Sequence, residues 1–187
     1  GMMGIARGLA LVITKGSSVS GLPSGYLFIG QGFLLGVPLP VWLMIAVGII
    51  SHLFLTYTTT GRHIYFIGSN EEAARLCGIA VNKIKLLVFS ITATLAAFAS
   101  VIETARMSTA QPGTGVGYEL QAIGAVIIGG ASLFGGSGTI LGTILGTALL
   151  GLVTNGLILL GVSAYWQQVF SGGVIILAVT LDVLRKK

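Results

Sequence analysis

LPVWLMIAVGIISHLFLTY, from Leu39 to Tyr57, is a run of 19 residues without a formal charge, entered through Pro38 and Pro40 and marked by Trp42 near its start. A helix of that length is about 28 Å long, close to the ~30 Å of hydrocarbon in a bilayer, so the run reads as a transmembrane span. Working outward, Leu86 to about Ala105 reads the same way. So does Ala164 to Leu184, with Tyr165 and Trp166 at one end and Arg185, Lys186 and Lys187 at the other, the pattern of an interfacial aromatic belt and a charged anchor. Gln121 to Leu160 is apolar over a length that holds two spans, broken at Gly135-Gly136-Ser137-Gly138. Read as an αα-hairpin, it gives spans of roughly 121–134 and 139–160. The opening segment, Ile5 to Thr14, is too short for a crossing and is interrupted by Arg7. It reads as the outer end of a truncated helix, and not as a signal peptide, because the charge lies inside the apolar run.

Composition agrees. Of the 187 residues 54% are apolar and only 8% charged, with a mean hydropathy of +0.98. An ordinary soluble chain carries roughly 25% charged residues, and a disordered one needs low hydrophobicity and high charge. Long unbroken apolar runs, rather than short alternating segments, speak against a β-barrel. One cysteine, Cys77, forms no internal disulfide and, without Cys or His neighbours, no metal site. The net charge of +5 sits at helix ends, where it orients a membrane protein and gives no reason to expect nucleic acid. The expected fold is an all-α integral membrane protein, one domain over 1–187, with about five complete spans plus the N-terminal helix. No catalytic residue, cofactor or metal is expected in the chain itself.

Alternation of the spans places residues 58–85, the 135–138 turn and the C-terminus on one side, and residues 15–38, 106–120 and 161–164 on the other. The first side holds Arg62, Arg75, Lys83, Lys85, Arg185, Lys186 and Lys187; the second holds Lys15 and Arg106, with Arg7 nearby. Basic residues collect in cytoplasmic loops, so the first side, with the C-terminus, is expected in the cytoplasm.

Lipid does not drive helices together as water does, so close packing must hold the bundle. Gly138, Gly142 and Gly146 stand four apart, with Gly151 beyond them, and Ser90/Thr94, Ala93/Ala97 and Ala96/Ser100 repeat the pattern in the 86–105 span. Such stripes serve static packing or faces that slide in a moving transporter.

The loop over 60–84 carries the sharpest signal. In it, Asn70 can cap a short helix, Glu71 and Glu72 fall in the first turn where the helix dipole favours anions, and Gly78 suits the helix end. A short, firm helix outside the membrane is a handle for a partner. Glu72-Ala73-Ala74-x-x-x-Gly78 resembles the EAA loop of ABC-importer permeases. The wider run from Gly61-Arg62-His63-Ile64-Tyr65 through Asn70-Glu71-Glu72-Ala73-Ala74-Arg75-Leu76-x-Gly78-Ile79 is similar to the ribose-type monosaccharide branch. Ile5-Ala6-Arg7-Gly8-Leu9-Ala10, Ala110-Gln111-Pro112 with Gly115-x-Gly117-Tyr118-Glu119-Leu120, Gly129-Gly130-x-Ser132-Leu133-x-Gly135-Gly136, Asn155-Gly156-Leu157 and Trp166-Gln167-Gln168 agree with it in order along nearly the whole chain. The sequence departs at Cys77, where the branch commonly has a small residue, and at its start, where the first helices are absent.

The resemblance implies a homodimeric permease in a bacterial inner membrane that receives sugar from a periplasmic binding protein. It also implies that two cytoplasmic ATPase subunits bind ATP and Mg²⁺, and that Asn70, Glu71, Glu72, Ala73, Ala74, Arg75, Gly78 and Ile79 form the coupling helix docking on them. Independently, the sequence has no Lys between Lys85 and Lys186 and no G-x-x-x-x-G-K-[ST], so it carries no P-loop.

Other polar positions fit either function or structure. Glu119 and Gln121 near the periplasmic mouth, with Asn155, could face a sugar path or bridge helices. Glu103, Arg106, Glu119 and Asp182 all sit near predicted interfaces, where pairing and snorkelling suffice. His52 reads as a packed, hydrogen-bonded residue rather than a proton relay. Among rivals, Gly135-Gly136-Ser137-Gly138 fits the G-x-S-G of a rhomboid-type intramembrane protease. The only histidines, His52 and His63, both precede Ser137, against the rhomboid order, and His63 lies in the cytoplasmic loop. Branched-chain amino-acid permeases are a nearer rival, and a passive channel would leave the loop helix unexplained.

Overall fold

The computed structural model describes residues 1–163 and, beyond them, 166, 169, 170, 172–174, 176 and 180. The expected span over 164–184, with Asp182 and the basic C-terminus, lies outside the described residues apart from those few positions. Among the described residues three helices are long and apolar enough to cross a bilayer: α3 (Leu39–Tyr57), α6 (Val81–Met107) and α8 (Ile140–Leu159). The first coincides with the run that opened the sequence reading. Shorter helices are α1 (Met2–Thr14), α2 (Ser24–Gln31), α4 (Thr59–Ser69), α5 (Glu71–Leu76) and α7 (Tyr118–Ile128). The chain divides into two compact units, Gly1–Val47 with Lys85–Val116, and Gly48–Ile84 with Gly117–Lys187.

In the first unit the stretch 15–38, read from sequence as a plain connection, is ordered. Strand β1 (Val19–Ser20) pairs antiparallel with β4 (Thr109–Ala110), and β2 (Phe33–Leu34) with β3 (Val37–Pro38) through a turn at Leu35-Gly36. Helix α2 lies against the end of α6. A Cβ on Gly30 would stand 2.3 Å from the Arg106 backbone nitrogen, so only glycine permits this approach. The Tyr26 hydroxyl hydrogen-bonds that of Thr104, and Gln31 Nε2 donates to the Arg106 carbonyl at 3.1 Å and to Ser108 Oγ at 2.7 Å. These contacts join two segments that the sequence placed on one side of the membrane.

The middle of α6, residues 89–100, is exposed all round. Its hydroxyls fold back on their own helix, Ser90 to Leu86 O, Thr92 to Val88 O and Thr94 to Ser90 O, which suits an apolar surrounding. The small-residue pairs expected to pack here are exposed.

In the second unit α7 and α8 form an antiparallel pair, with Gly142 against Gly129 and Gly146 against Ala125. Built Cβ atoms on Gly142 and Gly146 would stand 2.1 Å from the carbonyl oxygens of those partners. The buried Gly124, Ala125 and Ile127 of α7 and Gly146 of α8 make this face. Gly151, by contrast, meets nothing within 4 Å of a built Cβ, so the stripe ends before it.

The expected span 121–134 is corrected. Helix α7 has 11 residues, about 16 Å and half a bilayer. It stops because Gly130 takes φ +86, with its N–H on the Ile127 carbonyl at 2.9 Å and that of Ala131 on Val126 at 3.1 Å, a Schellman ending. The break was placed at 135–138, but Gly129-Gly130 comes first. Residues 135–138 instead form the tip of an 11-residue loop, 129–139.

Candidate functional site

The segment from Tyr57 to Val81 is two helices set by their caps. At Thr58 the hydroxyl donates to the Phe54 carbonyl at 2.6 Å, closing α3, and accepts from Gly61 N at 3.0 Å, opening α4. The corner is tight: a Cβ on the buried Gly61 would stand 2.4 Å from the Leu55 carbonyl oxygen. Asn70 does the same one helix later. Its N–H bonds the Phe66 carbonyl at 3.0 Å and its Oδ1 accepts from Ala73 N at 2.9 Å. One residue thus ends α4 and starts α5, which fixes the angle between them. Glu71 and Glu72 occupy the first turn of α5, as expected, and Arg75 donates to Glu71 Oε1 at 2.8 Å. That pair is solvent-facing and contributes about 0.3–0.5 kcal/mol.

The end of α5 is also as read. Gly78 N bonds Arg75 O at 3.0 Å and Ile79 N bonds Ala74 O at 3.1 Å, with Gly78 at φ +77. Ala74 is fully buried, which marks the inward face of α5, and Val81 at the start of α6 is nearly so. The opposite face presents Glu72, Arg75 and Leu76, the last 86% exposed. Beside it an open cleft of about 450 Å³ is lined by Arg75, Gly78, Ile79, Asn82 and Lys83 among others. Leu76 thus stands exposed between charged groups on a helix capped at both ends. Sequence reading missed Leu76 and the whole of α4. The signal for α4 was the Thr58-x-x-Gly61 start, which resembles a cap only once the span before it is bounded.

Helix α4 rests on the 129–139 loop, with the Tyr65 hydroxyl donating to the Gly138 carbonyl at 2.9 Å. Gly138 therefore lies ahead of α8, whose N-cap is Thr139 accepting from Gly142 N at 3.0 Å, and not on the helical stripe with Gly142 and Gly146. It is still close-packed, a built Cβ standing 2.9 Å from that of Ala131. The loops 58–85 and 135–138, assigned to one side by alternation, are in direct contact.

Glu119 and Gln121 lie in the first turns of α7, and the antiparallel register puts Asn155 toward the same end of the pair. All three are exposed, and no hydrogen bond joins them among the described residues. Glu103 and Arg106 likewise make no ion pair there. His52 sits half-buried in α3, with no hydrogen bond to its ring among the described residues. Ser137 has no histidine partner among them either.

The features combine into a helical protein with several helices apolar and long enough to span a membrane, joined by a segment that carries a short, doubly capped helix. The chain belongs to the family described as branched-chain amino acid transport system / permease component, which matches residues 1–179. It is 49% identical over 188 residues to the ribose import permease protein RbsC of Escherichia coli K12, covering 97% of this chain and 58% of that protein. Identity to RbsC of Bacillus subtilis strain 168 is 46%, over 99% of this chain and 58% of the relative. Identity to the L-arabinose transport system permease protein AraH of E. coli K12 is 40%, over 99% and 56%. The chain thus spans little more than half the length of the relatives it matches. No solved structure matches it.

Proposed function

We propose that this chain forms part of the membrane permease subunit of an ATP-driven importer for a monosaccharide of the ribose type. The permease pairs with a second copy in a bacterial inner membrane, with its C-terminus in the cytoplasm. It takes sugar from a periplasmic binding protein, and ATP is hydrolysed by a partner subunit that supplies the Mg²⁺ site. The observation that carries the reading is α5: a doubly capped helix bearing Glu72-Ala73-Ala74 and ending at Gly78, pinned at Ala74 and presenting Leu76 outward. The names of the relatives, which are ribose and L-arabinose permeases, favour a sugar over an amino acid.

Coupling follows from thermodynamics. ATP drives the pore only if it binds one global state more tightly than the other, and a stiff docked helix lets that preference reach the membrane. In this reading α5 enters a cleft on the ATPase with Leu76 as its apolar tip, and Glu72 and Arg75 set the register. Glu119, Gln121 and Asn155 offer donors and acceptors for sugar hydroxyls along the path.

The test is uptake into vesicles carrying the permease assembled with its ATPase and binding protein. ATP-dependent uptake of labelled ribose, competed by ribose and not by leucine, supports the reading. Uptake indifferent to ATP, or competed by leucine, overturns it.

A further inference from the structure

The end of helix α4 makes a close backbone approach to the loop between α7 and α8. A Cβ on Gly68 would stand 2.6 Å from the Gly136 nitrogen, and one on Gly135 would stand 2.7 Å from the Gly68 carbonyl oxygen. Gly136 lies against the next residue, a built Cβ being 3.0 Å from both Cα and Cβ of Ser69. Gly135 and Gly136 hold φ +90 and +79, backbone that other residues rarely adopt. One turn earlier on α4, Tyr65 is bonded to Gly138. Main chain therefore meets main chain, with no side chain between them that could yield by changing rotamer.

The contact is built in at both ends. On one side Asn70 joins α4 to α5 by capping both. On the other, Ser132 N bonds Ser137 O at 3.0 Å across the loop, Thr139 caps α8, and Gly142 is seated on Gly129. A continuous rigid path thus runs from α5 through Asn70, α4 and the glycine crossing into the α7–α8 pair.

The geometry points to Gly68, Gly135 and Gly136 as positioning residues for transport, forming a clasp that stays closed throughout the cycle and carries movement of α5 into the α7–α8 pair. This rests on the proposed function only in taking α5 as the ATPase contact. A clasp that never opens makes α4 and the α7–α8 pair move as one body, so the coupling helix acts on that pair directly as well as through its own chain connections.

The test uses the permease assembled with its ATPase and binding protein in vesicles. Gly68→Leu forces the two backbones apart. We expect it to keep ATPase co-purification and basal ATP hydrolysis while losing ATP-driven uptake about tenfold, the scale of a typical coupling energy. In the second arm, Ser69→Cys with Gly136→Cys in a Cys77→Ser background sets two Cβ atoms 3.0 Å apart, about half an ångström closer than the usual disulfide separation. Gly136→Cys itself crowds Ser69, so uptake by the reduced pair should already fall below that of Ser69→Cys alone, and oxidation should lower it no further. Normal uptake by Gly68→Leu overturns the inference, and so does uptake lost on oxidation and restored by reductant. Should Gly68→Leu not assemble, the disulfide pair decides alone. A parent complex without ATP-driven uptake overturns the permease reading itself, a failure distinct from one confined to the variants.

Discussion

The Tyr65 hydroxyl donates to the Gly138 carbonyl across 73 residues of sequence, at 2.9 Å. One bond thereby joins the helix that leads into α5 to the residue that precedes the α8 cap. Tyr65→Phe removes a neutral hydrogen bond, worth about 0.5–1.5 kcal/mol, and leaves the glycine contacts in place. The expected result is a small fall in the thermal midpoint of detergent-solubilised protein with backbone exchange at 59–69 faster than in the parent.

Gly142 faces the Gly129 carbonyl with no room for a methyl group. Gly142→Val must separate α7 from α8, and overpacking of this kind costs about 1–3 kcal/mol or more. Gly151→Val, beyond the last contact at Gly146 and in open space, should cost little. Thermal unfolding of both variants in one detergent checks the contrast, and equal losses would contradict the assigned register.

Asn70 serves two helices, so Asn70→Ala removes the side-chain cap of α5, a loss of about 1 kcal/mol. Amides of 71–77 should exchange faster while α3 and α8 keep their protection. Asn70→Asp, which retains the accepting oxygen, should restore the parent's rates.

Gly78 has φ +77 and nothing within 4 Å of a built Cβ. Substitution there is limited by backbone strain of about 1–2 kcal/mol, with Asn better tolerated than Ala. Gly78→Glu should therefore insert and fold like the parent yet abolish transport, because it places a carboxylate on the proposed docking face. Normal sugar uptake by Gly78→Glu would count against that face.

At the other loop cluster, Gly30→Leu cannot keep α2 on the backbone of Arg106. Proteolysis or exchange should show residues 24–31 released, with α3 unaffected.

Much of this was legible in the sequence because membrane spans are written in length and apolarity alone. The span read at about Leu39 to Tyr57 coincides with α3, and the α5 caps at Asn70 and Gly78 follow from residue types at helix ends. The sorting of loops into two groups also appears in the structure as contacts, Val19 with Ala110 and Tyr65 with Gly138. What escaped was decided by long-range contact. Helix α2 is held by a glycine meeting a backbone far along the chain, and no local periodicity announces it. The end of α7 escaped for a different reason. In a glycine-rich chain, only the residue that takes positive φ stops the helix, and Gly130 competes for that role with Gly135 and Gly136.

Cys77 gives the most direct test of the central claim, that α5 projects into the cytoplasm and meets an ATPase there. It is exposed at the end of the helix, and Cys77→Ser supplies the blank. A membrane-impermeant maleimide applied to sealed vesicles of either orientation should modify Cys77 only in inside-out vesicles, and bound ATPase should slow that reaction. Modification from the periplasmic face, or a rate indifferent to the ATPase, would contradict the account.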